Sequence, residues 1–383
     1  MSTRPQTRQG PLNGVKVIEL AGIGPGPFAG QLLADMGADV VVIDRPGGGM
    51  PKGVDGRGKR SIVLDLKNPE AVEALLKLIA TADVLIEGLR PGVTERMGVG
   101  PEACHAVNPR LVYGRMTGWG QTGPWSKMAG HDINYISMTG VLNAIGKDGQ
   151  PPVPPLNMVG DFGGGSMFLV TGILAALIER GVTGKGTVVD AAIIDGTHSL
   201  MSFVHGMAGL GQWQTKREAN LLDGAAPFYR CYATGDGKFM AVGCIEPQFF
   251  AAMMERLPID RDAFGGQHDM SKRAEQHRML EVVFASKTRD EWGAIFALTD
   301  ACVTPVLDYV EAAAHPANAE RQAVVADGKW LHPQIAPRFS GHKQADSFII
   351  ATKGADYETV LAEAGLAAGA VAELVSAGAV ITG

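Results

Sequence analysis

Val15-Lys16-Val17-Ile18-Glu19-Leu20-Ala21-Gly22-Ile23-Gly24-Pro25-Gly26-Pro27 opens the region that decides the fold. The apolar run at 15–20 reads as a strand that breaks at a Gly/Pro turn. A helix is predicted over 27–36, with Phe28, Leu32, Leu33 and Met36 along one side, and a continuous apolar strand over 40–43. Asn68-Pro69-Glu70 marks a helix start: a capping side chain, then proline at the first helical position, then an acid. Val72, Leu75, Leu76 and Ile79 supply that helix with its apolar stripe. Residues 84–86 and 111–115 read as further strands. Short apolar strands separated by helices indicate an α/β fold with a parallel sheet covered on both faces.

Residues 150–155 are rich in proline and are expected to be extended. Gly163-Gly164-Gly165 leads into an apolar helix ending near Arg180. Its most apolar part, 167–178, is too short to span a membrane and reads as a buried helix. A strand at 187–191 and a helical stretch to about 213 follow. The texture changes from about 222. Residues 228–233 and 238–243 flank Thr234-Gly235-Asp236-Gly237, which predicts a hairpin with an Asp-Gly turn. Helices are expected from Pro247 to 257 and over 272–285 and 289–298. Two more, at 356–364 and 368–377, are expected to return to the first domain. The expected division is a large domain at 1–195 and 325–383, a smaller α+β domain at 222–315, and linkers at 196–221 and 316–324.

The chain has 383 residues, 46% hydrophobic and 19% charged, with a net charge of −6. These values fit a well-buried soluble enzyme and argue against a nucleic-acid groove. The four cysteines are scattered without a C-x-x-C pair, and the nine histidines form no ligand-spaced cluster. Neither a metal site nor a disulfide framework is expected, and the compartment should be reducing. The polar segment 1–10 does not read as a secretory signal, and Ile381-Thr382-Gly383 is no peroxisomal address, so a cytoplasmic location is expected. Arg57, Lys59 and Arg60, close to Lys52, read either as a solvated loop or as a dock for a phosphorylated ligand.

Gly24, Gly26 and Ala29 satisfy the relaxed dinucleotide fingerprint G-x-G-x-x-G/A, and Asp44 stands about where a ribose-binding acid would. Pro25 and Pro27, however, remove N–H donors that a pyrophosphate would use. The competing reading is a Rossmann-like topology whose loop serves packing or another ligand. No G-x-S-x-G elbow points to a serine hydrolase.

Two segments carry the chemistry. Gly130-His131-Asp132-Ile133-Asn134-Tyr135 offers an imidazole, and Gly160-Asp161-Phe162-Gly163-Gly164-Gly165 a carboxylate. Glycines on their flanks allow close approach. A base on either side of one carbon is what inversion of a stereocentre by proton transfer requires. Each residue also has a plainer role open to it. His131 could be a hydrogen-bonded structural histidine, Asp161 a helix cap, and Glu246, just before Pro247, an acid at a helix start.

Several ordered blocks resemble the α-methylacyl-CoA racemases of the family III CoA-transferase superfamily. They include residues 17–27, Ile43-Asp44-Arg45-Pro46, residues 59–67, Asp83-Val84-Leu85-Ile86-Glu87 and Arg90-Pro91-Gly92-Val93. Gly118-Trp119-Gly120-Gln121-Thr122-Gly123, the His131 and Asp161 segments, Pro155-Leu156-Asn157, Leu222-Asp223-Gly224, Ile245-Glu246-Pro247 and residues 300–307 continue the match. The resemblance extends from about Pro11 to Leu307 and weakens after about Arg338. Cys244 stands where these racemases carry alanine, and Val42 where an arginine is common.

The resemblance implies an interlocked-ring homodimer whose large and small domains are joined by two long linkers, with the site at the subunit interface. It implies a cofactor-independent isomerase acting on 2-methylacyl-CoA thioesters, with no nucleic-acid or membrane partner. His131 and Asp161 would be the two bases, and Glu246 would hold the His131 ring. The Asp132 N–H would stabilise an enolate oxygen, and its side chain would cap the following helix. CoA would be held by Arg45, by a strand of Leu64, Asp65, Leu66 and Lys67, and by Arg90 and Arg96. Ile23, Gly130, Ile133, Asn134, Tyr135 and Asn157 would line the pocket. In the transferase relatives the residue matching Asp132 is a nucleophile, so an acyl transferase is the alternative; a binding homologue without turnover is another.

Overall fold

The computed structural model describes residues 10–48, 52–269 and 271–382. The tail at 1–9 and the terminal Gly383 lie outside them, with the readings made there. The chain divides into two compact units. The first takes residues up to Thr139, Leu156–Leu200 and residues from Ala319 onward; the second takes Gly140–Pro155 and Met201–Asn318.

The first unit is built on a seven-stranded sheet. Its strands are β1 (Lys16–Leu20), β2 (Asp39–Asp44), β3 (Arg60–Leu64), β4 (Val84–Glu87), β5 (Val112–Thr117) and β6 (Val188–Ala192), plus a short last strand at Val380–Ile381. The order is Val380–Ile381, β3, β2, β1, β4, β5, β6. All pairings are parallel except that of the last strand with β3. Successive side chains point to opposite faces, so one strand feeds two cores. Ile18, Val41, Ile62 and Leu85 pack beneath the helix Pro69–Ala80 and the C-terminal helices Tyr357–Glu363 and Ala368–Ser376. Val17, Val40, Val84 and Val112 pack beneath Pro25–Asp35 and Met167–Thr183. The expected cap is present, with the Asn68 side chain accepting from the Glu70 N–H at 3.0 Å.

The strand order reverses between β1 and β4. Such a reversal leaves a crevice outside the carboxyl ends of the strands, here bordered by the loops after Leu20 and Glu87.

The apolar helix differs from expectation. It begins with a π-helical segment, Met158–Ser166, and continues as Met167–Thr183. Together these make 26 residues, long and apolar enough to cross a membrane by length and composition alone. Leu169, Val170, Ile173 and Ala176 face the sheet, but Ile178 and Val182 are 74% and 88% exposed, so only one side is buried. The helical stretch expected to 213 is two helices, Ile193–Leu200 and Ser202–Gly209. A hairpin, Val324–Asp327 with Trp330–Pro333, was not expected.

The basic cluster is neither a solvated loop nor a free anion dock. Arg57 pairs with Asp35 at 2.6 Å, Lys59 with Glu19 at 2.7 Å, Arg60 with Asp39 at 2.5 Å and Lys52 with Asp44 at 2.9 Å. Lys59 and Glu19 are both fully buried, and the Lys59 ammonium also donates to the Pro27 carbonyl at 2.8 Å. Asp44 is further engaged by the Ser61 hydroxyl at 2.6 Å. Its carboxylate is therefore committed within the fold and does not present itself to a ribose.

In the second unit β7 (Tyr229–Ala233), β8 (Phe239–Gly243) and β9 (Val303–Pro305) form an antiparallel sheet. Tyr232, Met240, Val242 and Val303 pack against Phe264, Phe284 and Trp292. Residues 140–155, which the sequence reading put in the large domain, count with this unit. Arg217 draws them in by donating to the carbonyls of Asn143 and Lys147 at 2.9 Å and of Gln150 at 2.5 Å.

Removing one partner of a buried ion pair strands the other charge. Lys59→Met is expected to cost about 3–5 kcal/mol on that ground, read as a lowered urea midpoint. Adding Glu19→Gln should recover much of the loss, because it removes the stranded carboxylate. Unchanged midpoints would contradict this role of the pair.

Candidate active site

Three segments of the first unit meet beyond the crevice edge. The loop after β1 ends at Gly24, which takes φ +72° before the helix Pro25–Asp35. A Cβ on Gly24 would lie 3.1 Å from Asp161 Oδ2, so the bare backbone lets the carboxylate sit against the loop.

The second segment carries His131 as the N-cap residue of the short helix Asp132–Ser137. Its backbone N–H donates to Asn134 Oδ1 at 3.0 Å, and its side chain is exposed. The Tyr135 hydroxyl donates back to the Gly130 carbonyl at 2.5 Å. The Tyr135 ring stands nearly perpendicular to Trp119, with centroids 4.8 Å apart. Asn134 and Tyr135 thus fix the backbone on both sides of His131.

The third segment is the π-helical turn that holds Asp161. Its N–H donates to Asp132 Oδ2 at 2.7 Å. The Asn157 side chain hydrogen-bonds the Asp161 carboxyl, and the nearby His131 ring lowers its pKa electrostatically. Burial, followed by the Asp132 charge, outweighs both and holds the Asp161 carboxyl above the usual aspartate range. Asp161 is inside the turn and caps no helix.

Asp132 corrects an expectation. It is the first residue of its helix, and its side chain turns to the Asp161 and Gly160 N–H groups instead of capping. Asp132 is 8% exposed, and its Oδ1 has no hydrogen-bond partner among the described residues. Burial pushes its pKa up, against those N–H donors. A Cβ on Gly160 would lie 2.4 Å from Asp132 Oδ2, so this arrangement requires glycine there.

The other expected residues fall around this group. Ile23, 78% exposed, tops the loop after β1, and Ile133 is exposed on its helix. Arg90 follows β4; its charge, opposing burial and the Asp161 carboxylate, pulls on the Tyr135 phenol, whose pKa is raised on balance. Arg96 lies in the turn Val93–Arg96, and a Cβ on Gly92 would lie 3.2 Å from its guanidinium. Arg45 is exposed just past β2. The expected strand at Leu64–Lys67 is a strand end and a turn: β3 stops at Leu64, and the Lys67 N–H donates to Asp65 Oδ1 at 3.2 Å.

Glu246 belongs to the second unit. It is the exposed N-cap residue of the helix Pro247–Met254, and its side chain makes no capping bond. The Cys302 thiol is pushed up by burial and by the Glu246 charge. Ser166, which the sequence reading passed over, is fully buried behind Asp161.

Residues 12–347 match the model of CoA-transferase family III. The chain is 47% identical over 330 residues to a mouse protein named alpha-methylacyl-CoA racemase, covering 86% of each chain. It is 46% identical to the human protein of that name, over 85% of this chain and 86% of that one. A crystal structure of a CAIB/BAIF family protein from Brucella suis superposes with a TM-score of 0.80 at 27% identity, covering 93% of this chain and 99% of that one.

The geometry makes the Asp161 titration a test of the arrangement. Its carboxyl should titrate above the ordinary aspartate range in ¹³C NMR, and Asp132→Asn should move it down by removing the neighbouring charge. An Asp161 that titrates like a free aspartate in both proteins would contradict the described packing. By sequence match and by shared fold, the chain belongs to CoA-transferase family III.

Proposed function

We propose that the chain interconverts (2R)- and (2S)-2-methylacyl-CoA thioesters by 1,1-proton transfer through an enolate, without a cofactor. The observation that carries this reading is the proximity of a histidine and a raised-pKa aspartate, held by the 2.7 Å bond between Asp132 and the Asp161 backbone. Near-half identity to two proteins named alpha-methylacyl-CoA racemase supports it.

The thioester makes the α-proton weakly acidic. His131 removes it from one face, and protonated Asp161 returns one to the other; the reverse reaction exchanges these roles. A carboxyl group held above its ordinary range suits a residue that must both accept and donate. The developing enolate oxygen takes the Asp132 N–H, one of the unpaired donors at a helix start. Glu246, from the small domain of the partner subunit, holds the His131 imidazole in its working tautomer.

CoA lies along the carboxyl ends of the strands, where Arg45, Arg90 and Arg96 meet its phosphates and the Leu64–Lys67 turn lies alongside. Gly130 and Asn157 shape the acyl pocket. The assembly is an interlocked homodimer of large and small domains, a reading supported by the exposed apolar side of Met167–Thr183. Four unpaired cysteines suit a reducing, cytoplasmic setting.

The alternative, acyl transfer through Asp132, draws on its buried Oδ1, which lacks a partner among the described residues. Incubation in D₂O separates the two. Deuterium should enter the α-position of a 2-methylacyl-CoA with no acceptor acid present, and His131→Ala or Asp161→Ala should each lower uptake into the enantiomer whose α-proton faces the missing base by about 10²–10⁴-fold. Uptake that depends on an added carboxylic acid would reject the proposal in favour of transfer.

A further inference from the structure

We propose that Ser166 is a positioning residue for Asp161, acting through the π-helical turn that carries it. This rests on Asp161 being one of the two bases.

The turn Met158–Ser166 is wound with i→i+5 bonds. The Phe162 N–H donates to the Asn157 carbonyl at 3.2 Å, and the Met167 N–H to that of Phe162. π-turns are rare and frequently mark functional sites. Here the amino-terminal side is held from outside by the Asp132 carboxylate on the Asp161 N–H. Ser166 holds the other end. Its hydroxyl lies 2.7 Å from the Pro25 carbonyl and 3.1 Å from the Asp161 carbonyl. A serine hydroxyl has one proton to give, so the two carbonyls share it, and the shorter contact makes Pro25 the main acceptor.

Pro25 directly follows Gly24, the residue against which Asp161 Oδ2 rests. Ser166 therefore ties the wall of the carboxylate pocket to the backbone of the carboxylate itself. It is fully buried and reaches no substrate. On the described contacts it bears on Asp161 and not on His131, whose backbone is held by Asn134 and Tyr135. Its loss should weaken proton transfer on one face of the substrate only.

Each enantiomer of a 2-methylacyl-CoA is incubated in D₂O with wild-type protein, Ser166→Ala and Asp161→Asn. Displacement of a reacting group by about 1 Å can cost on the order of a hundredfold in rate. Ser166→Ala is expected to lose about tenfold to a hundredfold in racemisation. Deuterium uptake into the enantiomer that faces Asp161 should fall with it. Uptake with retention into the opposite enantiomer, which faces His131, should stay at the wild-type rate. Asp161→Asn should give the same one-sided pattern more strongly.

Equal loss on both faces in Ser166→Ala, or no loss, overturns the assignment of Ser166 while a one-sided Asp161→Asn still supports the base. An absent or two-sided effect of Asp161→Asn overturns the base reading itself. Should the alanine variant fail to fold, Ser166→Cys, close in size and a weaker donor, carries the same test.

Discussion

The site depends on the hydrogen bond from the Asp161 N–H to Asp132 Oδ2. It ties two segments, 29 residues apart in the chain, that hold the imidazole and the carboxylate. A buried carboxylate is costly unless hydrogen-bonded, and Asp132 meets that demand on one oxygen only. The Asp161 N–H serves Oδ2 at 2.7 Å, while Oδ1 has no partner among the described residues. A charge-assisted bond contributes about 1.5–3 kcal/mol, comparable to what one unsatisfied buried polar atom costs. The net stabilisation is therefore small, and the arrangement is better understood as fixing geometry. It also has an electrostatic result: the Asp132 charge adds to burial in raising Asp161.

The sheet beneath is braced at the same edge. Glu19 near the end of β1 and Glu87 at the end of β4 are buried carboxylates flanking the crevice, each paired with a buried cation, Lys59 and Arg115. Each pair also reaches the chain that leaves its strand. Lys59 donates to the Pro27 carbonyl, and Glu87 accepts from the Leu89 N–H at 2.7 Å. A buried ion pair is weak evidence of stability, since desolvation consumes most of the Coulombic gain. These pairs instead set the paths of the two loops that border the crevice, one of which runs to Gly24.

The parallel sheet was legible because both its faces are covered, so its strands read as unbroken apolar runs; Val40-Val41-Val42-Ile43 is the clearest. The Asn68 cap and the β7–β8 hairpin were legible because capping and tight turns are local chemistry. What failed was tertiary. Nothing local says that Arg57, Lys59 and Arg60 find Asp35, Glu19 and Asp39, which lie outside the cluster in sequence. Gly163–Gly165 signalled a break before the helix, but a π-turn has no periodicity of its own over so few residues. The hairpin at Val324–Asp327 and Trp330–Pro333 did leave a signal, the Asp327-Gly328 pair between apolar residues, which went unread. His131, Asp132 and Asp161 stood out as residue types between glycines, yet the bond joining them could not be inferred, because Gly160 matters there through the atom it lacks.

The two proposed bases are anchored differently, and the difference is chemical. His131 is exposed, with its backbone fixed from within its own helix by Asn134 and Tyr135. Asp161 is partly buried, fixed by Asp132 from another segment and by Ser166 from the end of its own turn. Burial and the Asp132 charge hold the Asp161 carboxyl above the usual aspartate range. In a reaction that must run in both directions, a carboxyl so raised accepts a proton more readily than an ordinary carboxylate does. The helix Asp132–Ser137 serves both: its first residue braces the aspartate while its cap position carries the histidine.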